Sequence, residues 1–153
     1  MRGNKNLGFN MTIKNVEMDD SVTYIEPVNL YGCKLEKDVF VGPFVEIQKD
    51  VLIMENTRIQ SHSFVCSNVK IGKDCFIGHG VVFTNDRFKD GVVNFKPPFE
   101  ETIIGNNVLI GSNSTILPVK ITDDVVIGAG SVVVNDIEES GTYVGNPLRR
   151  IEK

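Results

Sequence analysis

The 153-residue sequence is poor in the residue types that carry redox, metal and membrane chemistry: three cysteines, two histidines, and no apolar run long enough for a membrane span. The three cysteines, Cys33, Cys66 and Cys75, form an odd set with no CxxC pair, which argues against a disulfide framework and a zinc knot. They are expected to be reduced, buried wall residues. Missing apolar runs argue against a membrane partner, and the first fifteen residues, MRGNKNLGFNMTIKN, lack the apolar core of a secretory signal, so a cytoplasmic location is expected. A net charge of −4 removes the diffuse attraction that a nucleic-acid binder needs. The expected partner is a small molecule.

What the chain has in quantity is a repeat. From Leu35 an aliphatic residue recurs at every sixth position, Val41, Ile47, Ile53, Ile59, Val65, Ile71 and Ile77, and Phe83 closes the run. A six-residue beat matches neither the 3.6 period of a helix nor the 2 period of an ordinary strand, and points to a coiled parallel β solenoid. Three residues after each aliphatic come Asp38, Phe44, Asp50, Asn56, His62, Asn68, Asp74 and Gly80. Apart from Phe44 these types tolerate a left-handed backbone, so the column marks a corner after each short wall. The next column, Val39, Val45, Val51, Thr57, Ser63, Val69, Cys75 and Val81, is small or β-branched, as stacked walls require. Three six-residue walls make a triangular coil of 18 residues. Before Leu35 the beat slips by one residue and resumes at Leu30, Tyr24 and Met18; after a gap it returns at Ile104, Ile110, Ile116, Ile121, Ile127 and Val133. Counting 18 residues per coil predicts about six coils over a single domain, 1–153, with a short tail over 138–153. Exposed wall edges in such a solenoid favour self-association.

The gap is a predicted external loop, about 84–102, carrying Asn85, Asp86 and Arg87 at its base. Insertions of this length in compact domains are usually functional or disordered. His79 stands just before it in FIGHGVVFTND, and His62 lies 17 residues earlier, so one coil of 18 brings the two histidines together on adjacent layers beside the loop base. A histidine also suits a tight corner without any chemistry.

The aliphatic-Gly-x pattern of VGPFVE, IGKDCF, IGHGVV, IGNNVL, IGSNST and IGAGSV resembles that of the hexapeptide-repeat acyltransferases over nearly the whole chain. That resemblance implies an all-β, left-handed parallel β-helix, a homotrimer with sites between subunits, and acetyl-CoA as cosubstrate. FIGHGVVFTND with SHSFVC, NLYGC and FVEIQ is similar, more narrowly, to N-acetyltransferases of nucleotide-linked 3-amino sugars, the dTDP-3-amino-3,6-dideoxyhexose enzymes of surface-polysaccharide synthesis first. By that similarity Asn85 holds the sugar amine beside Asp86 and His79, with Glu46, His62, Ser63 and Arg87 around the sugar and nucleotide. Gly111 and Ser112, then Gly128 and Ala129, meet the pantetheine arm, and Asn146, Pro147, Arg149 and Arg150 lie by the adenosine phosphates. No metal is expected: hexapeptide-repeat carbonic anhydrases pair histidines close in sequence, and here they are not. Three departures stand out: ILPVK lacks the family's glycine after Pro118, GNPL carries a bulkier Leu148, and the loop after Asn85 is short and basic.

The chemistry expected is direct attack of an amine on the thioester, with His79 accepting the proton and wall amides such as that of Ser112 donating to the oxyanion. An O-acetyltransferase of the same fold, or a non-catalytic β-helix scaffold, are the alternatives.

Overall fold

The computed structural model describes residues 12–152, so eleven of the first fifteen residues, read above as lacking a signal, lie outside the described residues. The chain winds as a left-handed parallel β-helix of about seven turns. Among the described residues it has three sheets. Wall 1 has seven strands: Ile13–Lys14, Asn29–Tyr31, Glu46–Ile47, Phe64–Val65, Val82–Phe83, Thr115–Ile116 and Val132–Val133. Wall 2 has six: Glu17–Met18, Lys34–Leu35, Leu52–Ile53, Val69–Ile71, Thr102–Ile104 and Lys120–Ile121. Wall 3 has eight: Thr23–Tyr24, Phe40–Val41, Arg58–Ile59, Phe76–Ile77, Leu109–Ile110, Val125–Ile127, Gly141–Val144 and Arg149–Ile151. The count exceeds the six coils expected because corners shorten and the tail adds strands. Residues 141–144 extend wall 3 in parallel and 149–151 return antiparallel, so the expected tail is part of the sheet.

The aliphatic beat is the core. Leu35, Val41, Ile47, Ile53, Ile59, Val65, Ile71, Ile77 and Phe83 stack inside at 0–1% exposure, and the next column, Val39 to Val81, is buried with them. Full burial of one such side chain contributes about 1.5–3 kcal/mol. Most hydroxyls in this second column are satisfied, Thr57 Oγ1 donating to the Gly72 carbonyl (2.7 Å) and Ser131 Oγ to that of Gly128 (2.6 Å), while Thr102 Oγ1, in the same column, is buried without a partner. Every member of the corner column has positive φ, from Asp38 (57°) to Gly80 (65°), Phe44 included at 60°. Its amide donates down one coil, as from His62 N to Pro43 O (3.1 Å) and Gly80 N to Ser61 O (3.0 Å).

The slips at Leu30→Leu35 and Ile116→Ile121 both fall on the edge between walls 1 and 2. There the missing glycine after Pro118 shortens the corner without disturbing register, since Ile104 still pairs with Ile121. Leu148 packs against the end of the core.

The three outer faces differ. Wall 2 is charged: Lys34 pairs with Glu17 (2.9 Å) and Lys70 with Glu101 (2.6 Å). Wall 3 presents Phe40, Arg58, Phe76, Leu109 and Val126 in one outward ladder, with the Arg58 guanidinium 4.2 Å from the Phe40 ring centre. Wall 1 presents Glu46, Phe64, Val82, Thr115 and Val132.

Candidate active site

Wall 1 is bordered by two clusters, one on each edge. The edge between walls 3 and 1 collects the histidines. Ser61 and His79 occupy the same corner position one coil apart, and Ser61 Oγ lies 2.8 Å from His79 Nδ1. When Nδ1–H donates to the hydroxyl, Nε2 carries the lone pair, the tautomer of a general base. One position on, His62 stacks on Phe44 with ring centres 4.9 Å apart and planes at 30°. Ser112 and Ala129 continue the Ser61–His79 column upward through the ladder.

The glycines below that column have a structural reason. A Cβ on Gly111 would sit 2.4 Å from Ala129 N, one on Gly78 2.7 Å from Ser112 N, and one on Gly128 2.7 Å from Val144 Cγ1. The amides of Gly111 and Gly128 donate to the next coil, to Ile127 O and Tyr143 O (both 2.8 Å). Glycine at 111 and 128 is thus set by coil stacking, and the outward corner residues Ser112 and Ala129 remain for a ligand. Further up, Asn146 and Pro147 form an exposed turn; Arg150 is tied to Glu139 Oε2 (2.7 Å) and Ser140 O (2.9 Å), and Arg149 is exposed.

The second cluster lies where the loop leaves the edge between walls 1 and 2. Gln48, Phe64, Cys66, Val82, Asn85, Asp86, Phe88 and Leu117 are among the residues lining a cleft of about 480 Å³ between the loop and the outer face of wall 1. Thr84 Oγ1, also in the lining, is buried without a partner. Asn85 Nδ2 donates to Ser67 O (3.3 Å). Below it, Ser67 N and Oγ donate to Gln48 Oε1 (3.1 and 3.3 Å), and Gln48 Nε2 donates to Glu46 Oε1 (3.1 Å), which also accepts from Tyr31 (3.1 Å). Burial and the Glu46 carboxylate together hold the Tyr31 hydroxyl above its ordinary pKa. Glu46 is therefore half-buried at the foot of a hydrogen-bonded column leading to Asn85.

Several expectations need correcting. His79 and Asn85 do not share a corner: the strand Val82–Phe83 separates them, and neither histidine lines the cleft. Consecutive corners of a triangular coil lie on different edges, so nearness in sequence misleads. Ser63 points into the core, 1% exposed, its hydroxyl bonded to Gly78 O (2.8 Å), because its column is the buried one. Arg87 lines the cleft too, with its guanidinium anchored: Nη2 reaches Pro118 O, Nη1 donates to Val134 O (3.0 Å), and Nε meets Glu100 (3.3 Å). It stitches the loop to two further coils. Asp86 likewise caps the loop, accepting from Phe88 N (2.8 Å) and Asn94 N (2.7 Å). Gln48, Phe64, Cys66, Val82 and Leu117 were not singled out in sequence; they stack in register on wall 1 but share no residue type, so only the alternation with the core beat exposes them.

Burial pushes the Cys66 thiol up to about 12 and the Cys33 thiol up to about 11, and raises Cys75 as well. A nucleophilic thiolate in the cleft is thereby excluded near neutral pH. The unfolded chain releases these protons from about pH 9 while the folded chain retains them, so folding stability declines as pH rises from about 9 toward 11–12. Urea titrations at pH 8 and pH 10.5 check this: the midpoint is expected to be lower at the higher pH, and an unchanged midpoint contradicts the burial.

The fold defined by these walls is that of hexapeptide-repeat proteins. Residues 51–85 match the family described as "Bacterial transferase hexapeptide (six repeats)", and residues 101–134 the one described as "Hexapeptide repeat of succinyl-transferase". In sequence the chain is similar to the bifunctional protein GlmU of Streptococcus gordonii, 45% identical over 157 residues that take in 99% of this chain and 31% of GlmU. The chain thus spans about a third of the length of such curated relatives. In structure it resembles a variant of AntD, an N-acyltransferase from Bacillus cereus, in complex with dTDP and coenzyme A (TM-score 0.63, 22% identity, 97% of this chain and 86% of that one). It also resembles a maltose O-acetyltransferase from Clostridium difficile 630 (TM-score 0.62, 21% identity, 92% and 70%).

Proposed function

We propose that the protein transfers the acetyl group of acetyl-CoA to the 3-amino group of a nucleotide-linked amino sugar, dTDP- or UDP-linked, of the kind used in surface polysaccharides. The observation that carries this reading is the Ser61–His79 pair at 2.8 Å on an exposed corner, with the small outward residues Ser112 and Ala129 continuing its column. The amine nitrogen attacks the thioester carbonyl carbon, its proton passes to His79 Nε2, and the C–S bond breaks to release coenzyme A. Outward amides at the Ser112 corner would meet the oxyanion, and orientation supplies much of the remaining acceleration. With the cleft thiol held protonated, no acyl-enzyme is needed. The N-acyltransferase likeness, whose structure holds dTDP and coenzyme A, supports an amine acceptor, and GlmU supports nothing narrower than the repeat itself.

Each cluster is incomplete in one prism. The cleft holds Asn85 but its carboxylate, Asp86, is taken by two amides, whereas the base, His79, stands on an exposed edge outside that cleft. A homotrimer in which the histidine edge of one copy meets the loop cleft of the next completes both. The apolar outer ladders of walls 1 and 3, against the charged wall 2, favour contact through those two faces.

The maltose O-acetyltransferase likeness favours a second reading, transfer to a hydroxyl. The product separates them: an amide is expected to survive mild alkaline hydroxylamine, and a product cleaved by that treatment is an ester and overturns the amine reading.

A further inference from the structure

One residue breaks the rule that builds the fold. At the corner position with positive φ the chain uses Asp38, Asp50, Asn56, His62, Asn68, Asp74, Asn107, Asn113 and Asp124, with glycine at 80 and 130, and a phenylalanine at 44. A bulky side chain with φ near 60° is strained, and Phe44 gains no core burial in return, being 50% exposed. Its ring instead stacks on His62, whose neighbour Ser61 holds His79. One face of Phe44 is covered by the imidazole.

We propose that Phe44, backed by His62, is a stacking platform for a purine or pyrimidine ring. This deepens the function proposed above and rests on it for the identity of the ligand: a nucleotide-linked substrate brings one such ring and coenzyme A brings another. The position suits either. Phe44 lies two coils below His79 on the same edge, about 10 Å at the spacing of stacked strands, within the span of a nucleotide whose far end is presented to the imidazole. Stacking is indifferent to the base's hydrogen-bonding edge, so the platform anchors without dictating sequence-like specificity.

The test is calorimetric binding of dTDP, UDP and adenosine 3′,5′-bisphosphate to the wild-type protein and to Phe44→Asn. Asparagine is the residue the chain itself uses at this corner, so the variant is expected to melt no lower than wild type. Loss of about 10-fold or more in dTDP or UDP affinity assigns the platform to the sugar nucleotide; the same loss confined to the bisphosphate assigns it to coenzyme A. Equal affinities in both proteins, or binding of none of the three to wild type, overturn the platform. An independent readout is the proton NMR of the two histidines: ring-current shifts of the His62 signals on titrating dTDP, UDP or the bisphosphate support stacking, and unmoved signals at saturation overturn it. These measurements need no acetyl transfer. Nucleotide binding that depends on Phe44 in a protein that acetylates no amino sugar would defeat the function proposed above while leaving the platform standing.

Discussion

Replacing His79 by Ala lowers kcat about 100- to 10,000-fold with little change in KM for acetyl-CoA, the range general-base assistance supplies. The argument is geometric. His79 is exposed on its corner, and a single hydrogen bond to Ser61 holds its Nδ1, so the ring presents one defined nitrogen outward. Its immediate neighbours Gly80 and Asn113 carry no basic side chain, and the other imidazole of this edge, His62, is stacked on Phe44. Ser61→Ala leaves the imidazole in place but unoriented, and lowers kcat by a smaller factor than His79→Ala. Asn85→Ala, on the other edge, raises KM for the amino sugar more than it lowers kcat. Steady-state kinetics on the three variants check the ordering. An unchanged kcat in His79→Ala means the proton leaves by another route, with the departing thiolate the nearest acceptor.

Gly111→Ala destabilises the fold by about 1–3 kcal/mol, the usual cost of forcing atoms into a packed interior, which lowers Tm by about 2–10 °C for a chain of this size. The new Cβ would lie 2.4 Å from Ala129 N and 2.7 Å from its Cα, both backbone atoms of the next coil that move only if the coils part. Gly130→Ala is the control. Its Cβ would meet nothing within 4 Å, so only the strain of φ +70° opposes it. Thermal unfolding is expected to rank Gly111→Ala well below Gly130→Ala and wild type. Equal losses would mean backbone conformation, not coil contact, selects glycine along that column.

That column illustrates what the sequence could and could not carry. The solenoid is legible because a buried ladder imposes a strict period: Ile47, Ile53 and Ile59 recur for the same reason, and corners such as Asp50 and Asn56 follow because left-handed backbone admits few residue types. The glycines share that period, which is why Gly111 and Gly128 read equally well as cofactor contacts until the distance to the next coil is measured. Function sits where period fails. The loop base was visible as an interruption, yet Arg87 and Asp86, whose charge invited a substrate role, are held by Pro118, Val134, Phe88 and Asn94, partners distant or local in ways no spacing announces. His79 and Asn85 are six residues apart in sequence and on different edges in space. Phe44 was visible as the lone exception in its column, and the structure gives the exception a partner in His62.

The most direct test of the account is coenzyme A release from acetyl-CoA, followed across a panel of dTDP- and UDP-linked 3-amino and 4-amino sugars and simple hydroxyl acceptors. Turnover with a 3-amino nucleotide sugar is the predicted result. Release only with hydroxyl acceptors, or with none of the panel, contradicts it, the first pointing to an O-acetyltransferase and the second to a β-helix that serves as a scaffold.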